Sequence, residues 1–297
     1  MLVAIAREMD MPGTTAVVTD STADLPPGLA AEQGIRVVPL YVRFGSEEFQ
    51  AGVDLSTEAF WTRMLAADAP IPTTAAPSPG TFREAFEACF AGGASAIVCP
   101  TIGTKLSATF QAATLAAQML PDREIHIIDT ATTSMSTGIA ALLAVELAGT
   151  GMPAADVAAA VTDRQRDIDL FVAVDTLVYL RKGGRLSAAR AAIGTVLAVK
   201  PIITVRDGEV VAAESPRTRS KARARVIELV TAQPLERLAI LYTPTSPQAE
   251  VDAFRDAIVS RVPGGIDPAR VSMGLIGAST GPHLGPDLMG AAFLKRR

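Results

Sequence analysis

Short apolar, β-branched runs recur through the first half of the chain, and each gives way to a polar turn rich in hydroxyls. Ala16-Val17-Val18-Thr19 ends in Asp20-Ser21-Thr22-Ala23-Asp24, Ile35 to Phe44 forms a second strand region, and Ala96-Ile97-Val98-Cys99 and Ile125-His126-Ile127-Ile128 supply two more. Helical patterns separate them. Ser56 caps a helix over Glu58–Leu65, Ser78 followed by Pro79 opens one over Phe82–Phe90, and the Ala-rich segment Lys105–Met119 carries helical apolar spacing. Continuous apolar strands alternating with helices predict a parallel, doubly wound sheet.

Two Ala-rich helices follow, over about 137–149 and 153–166, and then the pattern changes. Phe171-Val172-Ala173-Val174 reads as a strand, and Ile202–Val205 and Val210–Ala212 flank Asp207-Gly208 as a hairpin. Leu238–Leu241 and Val271–Ile276 add strands, with helices near 218–232 and 247–260. The chain is therefore read as α/β with two domains. Residues 14–166 form an N-terminal domain with a Rossmann-like parallel sheet, and residues 167–297 an α/β domain with a mixed or antiparallel sheet. Residues 1–13 read as a loose extension.

Ligands of doubly wound sheets sit beyond the carboxyl ends of the strands. Asp20-Ser21, the Thr104–Ser107 turn and Asp129-Thr130 all fall there. Thr104 is placed to cap the next helix, leaving the N–H groups of residues 106–108 and the Ser107 hydroxyl to meet an anion; the alternative is a capped helix with Ser107 solvated. Thr73-Thr74, held extended between Pro72 and Pro77, and Thr132–Thr137 offer further hydroxyls, or else simply lead into helix caps. Gly183-Gly184 lets the chain bend and present Arg185, whose planar fork suits a carboxylate or phosphate; a solvated basic loop is the alternative. His126 and His283 are isolated, and neither is assigned a catalytic role.

Composition narrows the choice. Of 297 residues, 49% are hydrophobic but only 5% aromatic, so an internal cavity would be lined by aliphatic side chains. A net charge of −4 speaks against a nucleic-acid partner. Cys89 and Cys99 have neither metal-ligand spacing nor a disulfide framework. The N-terminal apolar run Met1–Ala6 is broken by Arg7, Glu8 and Asp10, too short and charged for a secretion signal, and no stretch is long enough to span a membrane. A cytoplasmic protein without metal or cofactor is expected.

Several blocks, taken in order, resemble the DegV family of bacterial fatty-acid-binding proteins. Val18–Pro26 is similar to the family's opening TDSTxDL block, Lys105–Gln111 to LSGTYQ, Ile128–Thr130 to IDS and Leu180–Ser187 to KGGRIS. Val38-Pro39-Leu40, Gly52–Ser56, Pro72-Thr73-Thr74, Ile193-Gly194, Lys200-Pro201-Ile202 and Gly277–Pro282 fall in the same sequence. The resemblance implies a two-domain protein that encloses a long-chain fatty acid such as palmitate or oleate. It also implies presentation of that acid to a separate ATP-using kinase subunit, which forms the acyl phosphate used in phospholipid synthesis. By the same resemblance Thr74 and Ser107 donate to the carboxylate, helped by the Ala108 N–H and Ser279, while Arg185, Arg217 and His283 serve kinase coupling. Catalytic residues are not expected in this chain. The chain departs from the family at Ala75, Ala76 and Ala108, and at Ser279, where the family often carries histidine. A stand-alone hydrolase or phosphotransferase using the same anion site, and a basic docking module built on Arg181–Arg190 and Arg217–Arg225, are the competing readings.

Overall fold

The computed structural model describes residues 14–67, 69–186 and 199–297. Met1–Ala6 and the 1–13 extension, Ser187, Arg190 and Ile193-Gly194 lie outside the described residues. The first half contains β1 (Thr15–Asp20), α1 (Pro27–Glu32), β2 (Arg36–Val38), β3 (Tyr41–Phe44), β4 (Glu47–Gln50), α2 (Thr57–Met64), β5 (Thr73–Ala75) and α3 (Pro79–Ala91). It continues through β6 (Ala96–Thr101), α4 (Thr109–Gln118), β7 (Glu124–Asp129), α5 (Met135–Gly149) and α6 (Ala154–Arg164). The second half adds β8 (Ile168–Ala173), α7 (Val178–Lys182), β9 (Ile202–Arg206), β10 (Glu209–Glu214), α8 (Arg219–Val230) and β11 (Leu235–Tyr242). The chain closes with α9 (Gln248–Val259), β12 (Val271–Leu275), α10 (Gly281–Leu284) and β13 (Met289–Lys295).

The architecture is α/β. A four-stranded sheet of order β2-β1-β6-β7 is parallel throughout, with Val17 opposite Val98 and Val98 opposite His126. A six-stranded sheet of order β10-β9-β8-β13-β11-β12 is mixed: only β11 and β12 run parallel. A small antiparallel sheet, β4-β3-β5, sits beside them. The expected single strand region over Ile35–Phe44 is therefore two strands in two sheets, divided at Pro39-Leu40.

Local chemistry explains the boundaries. Ser56 accepts the Ala59 N–H and Ser78 the Thr81 N–H, so both serines cap their helices, with Pro79 at the first position of α3. Asp207 and Gly208 both have positive φ (53° and 78°), as a tight hairpin turn between β9 and β10 requires. Every residue of α5 from Met135 to Ala144 is buried. This helix packs on β1 and β6 of the parallel sheet and on β8, β11 and β13 of the mixed one. A helix apolar all round needs such two-sided cover. At its far end Glu146 accepts from both Arg237 and Arg270, tying α5 to the mixed sheet.

Candidate functional site

The turn after β1 organises the site. Asp20 ends β1 fully buried: one carboxylate oxygen accepts the Thr22 N–H (2.9 Å) and hydroxyl (2.5 Å), the other the Ile102 N–H (2.9 Å) just past β6. Ser21 accepts the Leu40 N–H and shares a 2.6 Å hydrogen bond with the Ser279 hydroxyl. Asp24, in the left-handed region at φ 49°, accepts the Ser134 hydroxyl at 2.7 Å, the Gly277 N–H at 2.9 Å and the Thr280 hydroxyl at 2.8 and 3.0 Å. Four segments far apart in sequence thus meet on two carboxylates. Burial pushes both Asp20 and Asp24 above the ordinary carboxylate range, Asp24 to about 7, against the lowering effect of their hydrogen bonds.

Above this turn lies a cavity of about 60 Å³, or about 570 Å³ when the open space at its mouth is counted. Thr74 reaches it from β5, Ser107 from the loop before α4, Arg185 from the turn after α7, and Ser279 and His283 from the segment around α10. Leu40, Ile102, Leu106, Leu180, Val210 and Leu284 form its apolar walls. Thr74 is extended, as its flanking prolines predict, and Val42 on β3 faces it across the sheet.

The structure unites five of the seven residues expected at the site. Ala108 adjoins Ser107 but is exposed and does not line the cavity; its N–H has no partner among the described residues. Arg217 stands exposed before α8, away from the cavity lining. The expected Thr104 cap is not formed. Its hydroxyl and N–H turn instead to Asp129, at 2.7 and 3.2 Å, because a turn over Gly103–Ser107 delays the helix until Thr109. Ser107 takes the capping part: it shares a hydrogen bond with the Thr109 hydroxyl and accepts the Thr109 N–H. Asp129, expected to face the crevice, is occupied by Thr104 and the Ala131 N–H.

His283, read in isolation from the sequence, proves central. Its Nε2 lies 2.8 Å from the Thr74 hydroxyl, while its buried Nδ1 has no hydrogen-bond partner among the described residues. Burial, with the Arg185 guanidinium adding to it, lowers its pKa to about 4, so the ring is neutral near pH 7. Gly183 makes the placement possible: a Cβ there would stand 2.3 Å from Nδ1. Arg185 is held by the carbonyls of Gly183 (2.5 Å) and Leu106 (3.2 Å). The His283 ring enters the cavity one helical turn beyond Ser279, which is engaged by Ser21. Sequence reading placed Asp20 at the crevice but gave no contact to it, to Asp24 or to Thr280. Their signal was two aspartates four apart at the end of a buried strand, a position that demands partners.

Such a cavity can hold an aliphatic tail against its walls and an anionic head against hydroxyls and one guanidinium. The sequence profile of the DegV family matches residues 14–296. The chain belongs to the DegV family. A DegV domain-containing protein of Streptomyces coelicolor is 36% identical over 287 residues, covering 95% of this chain and 98% of that relative. Two solved DegV structures are similar over nearly the full length. One, described as showing fatty-acid binding by a DegV family protein from Thermus thermophilus, has 30% identity and a TM-score of 0.84, covering 95% of this chain and 100% of its own. The other, DegV from Bacillus subtilis, described as a fatty acid binding protein, has 28% identity and a TM-score of 0.81, covering 96% and 100%. Among the described residues no helix is long and apolar enough to cross a membrane, and no group of three or more His, Cys, Asp or Glu could hold a metal ion.

Proposed function

We propose that this DegV protein binds one long-chain fatty acid, palmitate or oleate in type, and hands it on intact. The observation that carries the reading is the convergence of Thr74, Ser107, Ser279, His283 and Arg185 on one otherwise aliphatic cavity. Burying each methylene gains about 0.8 kcal/mol, so a 16-carbon tail offers on the order of 12 kcal/mol before the cost of ordering it. An ionised head cannot be buried bare, and Thr74 and Ser107 supply hydroxyl donors, with the unpartnered Ala108 N–H beside them. The two similar DegV structures described as fatty-acid binders support the same ligand class.

The carrier reading, rather than an enzyme, is supported by the hydrogen-bond pattern. Ser107 is bonded to Thr109, not to an imidazole, and among the described residues no third group meets Nδ1 of His283 to orient that ring, paired with Thr74, as a base. The acid is presented in the cytoplasm to a separate ATP-dependent kinase subunit, for acyl-phosphate formation and phospholipid synthesis. Arg185 and His283 face the head group in that exchange, and the exposed Arg217 meets the kinase subunit. The chain divides near residue 166: residues 14–166 bring the parallel sheet and the carboxylate hydroxyls, residues 167–297 much of the acyl-chain wall. Protein purified from bacterial cells, denatured and extracted, should yield about one fatty acid per chain by mass spectrometry. Empty protein that also refuses palmitate and oleate would overturn the reading.

A further inference from the structure

Thr280 lines the cavity beside Ser279 and His283, yet its single hydroxyl proton is turned away from it, onto Asp24. An ionised carboxylate only accepts hydrogen bonds, so with Asp24 charged Thr280 has nothing but lone pairs to offer an incoming anion. We propose that Asp24 takes up a proton from solvent when a carboxylate ligand enters, and that Thr280 then turns its hydroxyl proton from Asp24 to the ligand. The inference rests on the fatty-acid reading above.

The hydrogen bonds balance in both states. A proton on Oδ2 of Asp24 is donated to the Thr280 oxygen. Oδ1 keeps the Gly277 N–H, and the Ser134 hydroxyl keeps a lone pair on Oδ2. The Thr280 proton, displaced from Asp24, has the cavity as its outlet. One proton enters and one hydroxyl reverses; no bond of the ligand changes.

The surroundings favour this exchange. Burial holds Asp24 at about 7, with Asp20 on the same turn adding a smaller push towards the neutral form, so a small further push suffices near neutral pH. The first turn of α5 facing Asp24, Met135–Gly138, carries no charge, and in the turn from Gly277 to Leu284 only His283 titrates. His283 and the Arg185 guanidinium face the cavity, and His283 starts from about 4, much farther from neutrality. An anionic head group therefore protonates Asp24 first.

The test is calorimetric titration of the full chain with oleate, at pH 7 and 8, in buffers of different ionisation enthalpy. Wild-type protein should take up a proton fraction on binding, and its affinity should weaken about fivefold from pH 7 to pH 8. Asp24→Asn, whose amide donates permanently to Thr280, should bind without uptake and with flat affinity. If that variant does not fold, Thr280→Ser should keep the uptake and Thr280→Val lose it. Wild-type binding without uptake, or undiminished uptake in Asp24→Asn or Thr280→Val, would place the proton elsewhere and overturn this inference alone. Wild-type protein that binds no oleate at either pH would overturn the fatty-acid reading and this inference together.

Discussion

Replacing Gly183 by alanine tests how the site is assembled. The backbone at Gly183 has φ −75°, which alanine adopts freely, so any cost comes from contact and not from strain. The new methyl would lie 2.3 Å from Nδ1 and 3.0 Å from Cε1 of His283, with the Tyr179 carbonyl at 3.2 Å closing the other side. The imidazole is buried and hydrogen-bonded to Thr74, so it cannot swing clear without leaving that partner. Overpacking of this kind costs about 1–3 kcal/mol, and loss of the Thr74 hydrogen bond about 1 kcal/mol more. Chemical denaturation, followed with and without oleate, should show both a lower midpoint and weaker ligand stabilisation. In a His283→Ala background only the 3.2 Å approach to the Tyr179 carbonyl remains, and Gly183→Ala should then cost no more than about 1 kcal/mol. Equal destabilisation in the two backgrounds would refute the reasoning, since the penalty would then owe nothing to the histidine.

Other outcomes follow from the same contacts. Thr74→Val and Ser107→Ala should each weaken palmitate binding by roughly 10- to 100-fold, the worth of a hydrogen bond to a charged group, while leaving the melting temperature within a few degrees; ligand titration and thermal melts check both. Gly285→Ala meets the Tyr179 ring at 2.2 Å with φ at +74°, so it should destabilise more than Gly183→Ala in a urea melt. The histidine also sets a pH dependence. Because its folded pKa is lowered from 6.5 to about 4, its contribution is present above pH 6.5 and is lost as pH falls towards 4, worth about 3 kcal/mol across that window. Asp24, raised to about 7, works in the opposite sense, its contribution being lost as pH rises from about 4 to 7. His283→Gln should therefore tilt the stability profile downward with rising pH between 4 and 6.5, and Arg185→Gln should move the His283 titration upward by nuclear magnetic resonance.

Much of the fold was legible because the strands of the parallel sheet are apolar on both faces and end in polar turns. The hairpin at Asp207-Gly208 and the caps at Ser56 and Ser78 carry equally direct local signals. β13 was not legible, although it lies inside the mixed sheet between β8 and β11. Its Gly290-Ala291-Ala292 has weak strand preference, and small residues are needed because a Cβ at Gly290 would stand 2.4 Å from the Phe171 carbonyl. The division of Ile35–Phe44 was likewise hidden, since both parts have the same character and only the tertiary partners differ. At the site, hydroxyl clusters pointed to Thr74 and Ser107, and the fold brings both to one cavity. The Thr104 cap failed because Asp129, 25 residues away, competes for the same hydroxyl. His283 had no local signal at all: its meaning lies in Thr74 and Gly183, each about 100 residues or more distant in the chain.

The burial of α5 on two sides has a consequence for how the polypeptide comes to exist as a whole. A fragment ending near residue 166 would keep the helix but lose β8, β11 and β13, leaving a bare aliphatic flank in water. The C-terminal fragment alone would present the matching unfilled surface. Neither piece has a finished interior, so α5 and the strands packed on both of its sides should melt in one transition, and β13 must be in place between β8 and β11 before the α5 flank is closed.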